Sequence, residues 1–125
     1  MKAIHPVRAA LAAALVLAAA SALAQSALKK ADGVLVDAAG MTVYTFDKDS
    51  AGSGKSACND ACAKMWPPVT AGSAQVAAPY SVVTRDDGAK QLAYKGKPLY
   101  LFANDHKPGE RKGDKMKDVW HVVAD

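Results

Sequence analysis

Two cysteines are the residues of this chain whose type and spacing suggest a chemical role. Cys58 and Cys62 are the only cysteines among 125 residues, and they stand in a C-x-x-x-C pattern. In an oxidising compartment, an isolated pair of this kind usually forms a structural disulfide. Residues four apart on a helix have Cβ atoms about 5–6 Å apart, so a small local distortion would let the sulfur atoms bond. We therefore expect a Cys58–Cys62 disulfide that stiffens a local turn.

Two other uses of the cysteine pair stay open. Soft sulfur ligands suit copper(I), and Cys58, Cys62, Met65 and His106 could together supply such a site. The pair could also act in thiol redox chemistry, although thiol–disulfide catalysts use C-x-x-C. Covalent haem attachment needs C-x-x-C-H, which the chain lacks. The sequence predicts no cofactor, with copper or thiol redox chemistry as the alternative.

The other polar residues form no catalytic pattern. After residue 24 the chain has two histidines, His106 and His121, and a single glutamate, Glu110. It contains no G-x-S-x-G nucleophile elbow. The segment GSGKS at 52–56 lacks the first glycine of a phosphate loop, because position 49 is aspartate. The sequence favours a non-catalytic binding or structural module over an enzyme.

The first 24 residues have the order of a secretory signal peptide. A basic start with Lys2 and Arg8 precedes the apolar run 11–20, and A-L-A ends at Ala24. The run is too short to span a bilayer, which takes about 20 apolar residues. Gln25 follows the expected cut, where a lipid anchor would require a cysteine. These features predict a periplasmic or secreted protein with no membrane span after cleavage.

The net charge of the chain limits the kinds of molecule that it is expected to bind. The chain has 16 basic and 12 acidic residues, and loss of Lys2 and Arg8 with the signal leaves 14 against 12, a net charge of +2. That excess is too small to indicate nucleic-acid binding. The expected partner is an unknown protein or small molecule of the cell envelope.

The strands and turns that position the cysteines and the other candidate residues belong to a unit that occurs twice in the sequence. The ten-residue pattern G-x-x-[VL]-Y-x-F-x-x-D occupies 40–49 and recurs at 96–105. Trp66 and Trp120 each precede a short segment that ends in valine. Self-similarity of this kind is typical of a duplicated structural unit. We predict one domain over 25–125 that contains two repeats, about 31–70 and 80–123.

The local pattern predicts a mainly β fold. Short runs rich in valine, leucine and aromatic residues alternate with Gly, Asp and Lys turns. A short helix is expected around 56–65, because Ser56 can cap it and Pro67 must end it. Residues 71–79 are small and polar and are expected to connect the repeats. The result would be a compact sandwich- or barrel-like domain.

The repeated motif has a packing explanation. Residues two apart on a strand share a face, so Tyr44 lies with Phe46 and Tyr100 with Phe102. We expect these rings to pack between the repeats, each contributing about 1.5–3 kcal/mol by burial. The two tryptophans are expected to close the core from the opposite side.

The motif also ends in a carboxylate in both repeats. Asp49 and Asp105 come just after the two motif strands. An aspartate in this place can accept backbone N–H groups and fix the turn that follows. We therefore predict a structural role for both.

Several of these segments resemble one family. The hexads YTFDKD (44–49) and YLFAND (100–105) resemble the Y-x-[FWY]-x-x-D motif of a bacterial family of predicted lipoproteins, also called the secreted-repeat family. The segment from Cys58 to Pro68 and the terminal W-H-V-V (120–123) are similar to segments of the same family. The resemblance implies an envelope location and tandem β repeats. It implies no established activity.

Overall fold

The strands of the described residues form three small antiparallel sheets. The computed structural model of the protein describes residues 28–72 and 76–124, so the predicted signal peptide lies outside the described residues. Within them, no helix has the length and hydropathy needed to cross a membrane. The elements in chain order are strand β1 (Lys29–Ala31), β2 (Val34–Val36), β3 (Tyr44–Phe46), helix α1 (Ala61–Met65), β4 (Tyr80–Thr84), β5 (Lys90–Tyr94), β6 (Lys97–Pro98), a 3-10 turn (Met116–Asp118) and β7 (Trp120–Val122).

One of the three sheets joins the two repeats. Strand β1 pairs with β2, β3 pairs with β7, and β4, β5 and β6 form the third sheet in that order. The β3–β7 register places Phe46 opposite Trp120, so the first motif strand pairs with the end of the second repeat. On its other edge, β3 meets Tyr100 through an antiparallel bridge in which Tyr44 and Tyr100 exchange N–H to O bonds of 2.8 and 2.9 Å.

The prediction of a mainly β fold is confirmed, but the sheets do not close into a barrel. The described strands are only 2 to 5 residues long, and isolated bridges join the sheets. Strand β1 was not predicted, because its residues KKA are exposed and show no apolar alternation.

The helix is shorter than the predicted span of about 56–65. It begins at Ala61, after Asp60 with φ 56°. Residues 56–60 form a loop because the Ser56 hydroxyl turns inward and accepts the Cys58 N–H at 3.1 Å. A buried arginine, Arg85, also binds the Cys58 carbonyl.

The motif strands lie between two apolar cores. Alternate residues of each strand face an aliphatic cluster on one side and an aromatic cluster on the other. The buried members of the aliphatic cluster are Leu35, Val43, Val69, Leu92, Leu99 and Val123. The buried members of the aromatic cluster are Tyr44, Phe46, Cys58, Trp66, Tyr100, Phe102 and Trp120.

Four rings of the aromatic cluster form one continuous stack, called the ring stack below: Phe46, Trp120, Trp66 and Phe102. The tryptophans lie face to face at its centre, with ring centroids 3.7 Å apart and an interplanar angle of 4°. Each outer phenylalanine lies 4.2 Å from the tryptophan of the other repeat. The tryptophans, which were expected to close the core, pack between the two phenylalanines.

A glycine allows the chain to approach this stack. A Cβ atom at Gly113 would lie 2.5 Å from a ring carbon of Trp66 and 3.1 Å from one of Phe102. No larger residue fits there without moving the rings, because contacts this short do not occur between packed carbon atoms.

Candidate functional site

The motif tyrosines and aspartates bond to each other across the repeats. The Tyr44 hydroxyl donates to Asp105 Oδ2 at 2.6 Å, and the Tyr100 hydroxyl donates to Asp49 Oδ2 at the same distance. Neither tyrosine has exposed surface. Each repeat therefore supplies the donor for the carboxylate of the other, which ties the two copies together at their centre.

The second oxygen of each carboxylate has the role predicted for it. Asp49 Oδ1 accepts the Ala57 N–H at 2.6 Å, and Asp105 Oδ1 accepts the Lys112 N–H at 2.9 Å. The aspartates thus hold the loop after each motif strand. The tyrosine partners were not predicted from sequence, although a tyrosine in place of phenylalanine at both positions signals a buried hydroxyl that needs a partner.

A buried arginine extends one of these pairs into a network. Arg85 is 5% exposed and donates to Ser56 Oγ at 3.0 Å and to Gln91 Oε1 at 2.7 Å. Ser56 Oγ is also 2.6 Å from the Tyr100 hydroxyl. The network connects the motif to the loop before α1, where Arg85 also binds the carbonyl of Cys58.

Burial controls the protonation of these groups. It raises the pKa of the Tyr44 and Tyr100 phenols well above their usual value, and the neighbouring carboxylates raise it further. Burial also raises the pKa of Asp49, and this outweighs the opposing hydrogen bonds from Tyr100 and Ala57. Both phenols therefore stay protonated at ordinary pH and can donate their hydrogen bonds to Asp105 and Asp49.

The cysteines form the expected disulfide. Cys58 and Cys62 are bonded, with their Cα atoms 5.2 Å apart. Cys58 has no exposed surface, whereas Cys62 is partly buried beside the ring stack. The bridge fixes α1 and therefore the position of Trp66, whose N–H donates to the Cys62 carbonyl at 2.8 Å.

The two histidine residues make hydrogen bonds with acidic side chains. His106 is exposed, and its backbone N–H donates to the Glu110 carboxylate. His121 Nε2 is 2.7 Å from Asp47 Oδ2 at the surface. Throughout residues 28–72 and 76–124, no three His, Cys, Asp or Glu residues group so as to hold a metal ion.

A groove lies over the ring stack and was not predicted from the sequence. Its volume is about 630 Å³, and each repeat supplies six of its lining residues. The first repeat supplies Phe46, Lys48, Ala61, Cys62, Met65 and Trp66, and the second supplies Phe102, Asn104, Met116, Lys117, Val119 and Trp120. Met65 is 44% exposed, and Val82 on β4 is the other strongly exposed large apolar residue in the described ranges.

Comparison with known proteins assigns the chain to a family. A family model described as a secreted repeat of unknown function matches residues 26–70 and 81–124. The chain belongs to this secreted-repeat family. The family model thus matches the chain twice, once in each half. No curated protein and no solved structure matches the chain.

The two secreted repeats meet at the ring stack and in the groove. Tyr44 and Tyr100 are equivalent positions and bridge to each other, and the equivalent tryptophans stack on each other. The groove therefore lies along the boundary between the repeats and exists only where both are present.

Proposed function

We propose that the protein is an exported, non-catalytic binding module of the cell envelope whose ligand occupies the groove over the ring stack. In this proposal the signal is cut after Ala24 and the mature protein acts in the periplasm or outside the cell. The family's description as a secreted repeat supports export. The groove is the observation that carries the binding role.

The groove has the features of a small-molecule site. Ligand pockets are concave and mostly apolar, with volumes of about 300–1,000 Å³ and a few polar groups that orient the ligand. Here aromatic and sulfur-containing side chains supply most of the lining. Met65 is a flexible apolar residue left at the surface, and methionine is common at adaptable binding surfaces.

The lining supports binding rather than catalysis. Its polar members are Lys48, Asn104 and Lys117, and the described residues that form it include no histidine, carboxylate or hydroxyl group. General acid–base catalysis most often uses such groups. The titratable pairs of the motif are buried beneath the rings, where they hold the two repeats together.

Probe binding tests the groove directly. Because the chain has only two tryptophans and both line the groove, a bound naphthalene-based probe should quench their fluorescence by energy transfer. Met65→Gln is expected to weaken probe binding about tenfold, since it removes apolar contact from the wall. Val82→Gln is the matched control, because Val82 is 41% exposed and does not line the groove.

The proposal fails under either of two results. If neither a neutral nor an anionic naphthalene probe binds the folded protein, the groove is not a ligand site. If Met65→Gln and Val82→Gln bind the probes as tightly as the parent, the probes bind elsewhere. Melting curves for each variant establish that the protein under test is folded.

Copper binding is a second candidate function, favoured by one observation. Cys62, Met65 and Met116 all line the groove and carry three sulfur atoms, the ligand type that copper(I) prefers. His106, the fourth ligand considered from sequence, does not line the groove. This candidate requires that the Cys58–Cys62 bond be open in the cell, since the disulfide has no thiolate ligand to offer.

Thiol titration separates the two candidates. For the ligand-binding module, protein isolated without reductant should titrate no thiols, and protein treated with reductant should titrate two, because the bridge is closed. The groove should then retain no copper(I) in the untreated protein. Two free thiols in untreated protein, together with one copper(I) per chain that is lost in Cys58→Ser/Cys62→Ser, would favour copper instead.

A further inference from the structure

We infer that the groove selects a small amphipathic anion, whose apolar body lies along the ring stack and whose anionic head lies beside Lys48 and Lys117. This inference rests on the proposed function, because it assigns a ligand class to the same groove. The charge of the lining and the absence of acidic groups from it are the observations that carry it.

The apolar part of the ligand follows from the lining. Nine of its twelve residues are apolar or sulfur-containing, and they include all four rings of the ring stack. The four rings are only 3–9% exposed, so a ligand would touch their exposed edges together with the exposed side chain of Met65. Ring edges pack well against aromatic and aliphatic carbon, and a purely polar ligand would leave these contacts unmade.

The charged part follows from the two lysines. Lys48 belongs to the first repeat and Lys117 to the second, and both line the groove. Within residues 28–72 and 76–124, neither ammonium group has an ion pair or a hydrogen-bond partner. In contrast, Lys112 pairs with Glu110 at 3.5 Å and Lys90 bonds to Thr84 at 2.9 Å.

Each half of the ligand is needed for selective binding. A small anion held only by exposed lysines would bind weakly, because exposed ion pairs contribute little in water. A neutral apolar molecule would gain the ring contacts and leave the two ammonium groups unpaired. An anion with an apolar body uses both surfaces at once.

A matched pair of probes tests the inference. Anilinonaphthalene sulfonate and phenylnaphthylamine share their aromatic body and differ in the anionic group. We expect the sulfonate to bind the parent protein at least tenfold more tightly than the neutral amine. In Lys48→Gln/Lys117→Gln the affinity for the sulfonate should fall about tenfold or more, whereas that for the amine should stay unchanged.

A control variant removes the same charge elsewhere. Lys30 and Lys107 are exposed and line neither this groove nor the two smaller surface pockets described for the chain. Lys30→Gln/Lys107→Gln should keep the preference for the sulfonate. Equal loss in both double variants would mean that net charge alone attracts the probe, and would overturn the inference.

The outcomes separate the inference from the proposed function. If both probes bind equally well and Met65→Gln weakens both, the groove is a ligand site without charge selection, and only the inference fails. If neither probe binds, the proposed function fails and the inference with it. Where the sulfonate probe binds, its displacement by decanoate or by naphthalene sulfonate supports the inference. The competitor that displaces the probe better shows whether the groove prefers an aliphatic chain or an aromatic ring as the apolar part of its ligand.

Discussion

Trp120→Ala is expected to lower the free energy of unfolding by about 3–5 kcal/mol, the usual cost of removing a large buried aromatic side chain. Trp120 is 3% exposed and stacks on Phe46 and Trp66, with a further edge contact to Tyr100. Its removal opens a cavity where the two repeats meet. Small domains are stable by about 5–15 kcal/mol in total, so this one change would remove a large share.

Urea denaturation followed by circular dichroism measures this loss without relying on tryptophan emission. Val82→Ala serves as the control, because the side chain is 41% exposed and should cost well under about 1 kcal/mol. If Trp120→Ala fails to fold, Trp120→Phe can be measured in its place, because it retains an aromatic ring. A Trp120→Ala protein that unfolds at the same urea concentration as Val82→Ala would mean that the ring stack contributes little.

Stability should also fall steeply at alkaline pH because of the buried phenols. Unfolded tyrosine has a pKa of about 10, and burial raises the pKa of Tyr44 and Tyr100 in the folded state. Above about pH 10 the unfolded chain has lost two protons that the folded chain keeps, so the free energy of unfolding falls by about 2.7 kcal/mol per pH unit. The contribution is fully present below that pH. Tyr80, whose pKa burial also raises, adds to the slope.

Single tyrosine variants isolate the effect. Tyr100→Phe removes one buried phenol and should reduce the alkaline slope by about 1.4 kcal/mol per pH unit. Tyr94→Phe is the control, since Tyr94 is half-buried and its hydroxyl has no hydrogen-bond partner in the part of the chain that the structure describes. Unfolding free energies measured across the alkaline range should distinguish them. Identical slopes for the parent and Tyr100→Phe would rule out a role for the phenol proton.

The sequence predicts the parts of this fold that depend on local spacing. The two-residue spacing of Tyr44 and Phe46, and of Tyr100 and Phe102, correctly places all four rings in the core. The C-x-x-x-C spacing allows the disulfide that the structure contains. Both results need only residues that are close together along the chain.

The parts that the sequence does not predict depend on register between distant segments. The bond from Tyr44 to Asp105 joins residues 61 positions apart, and it requires the bridge between Tyr44 and Tyr100 to set the alignment of the repeats. Arg85 stands beside a polar turn, and no pattern in the sequence predicts its burial, yet it is 5% exposed. The groove combines Met65 and Met116, which share no pattern within the repeats.

The near-symmetry of the two copies has a consequence for how a molecule can lie between them. Two identical halves would offer the same surface in both directions, and a ligand with unlike ends could bind equally well when reversed. Lys48 is matched by Asn104 at the equivalent position of the second copy, which removes that equivalence. Duplication thus supplied two matched halves, and divergence at a few lining residues makes the two ends of the groove chemically different.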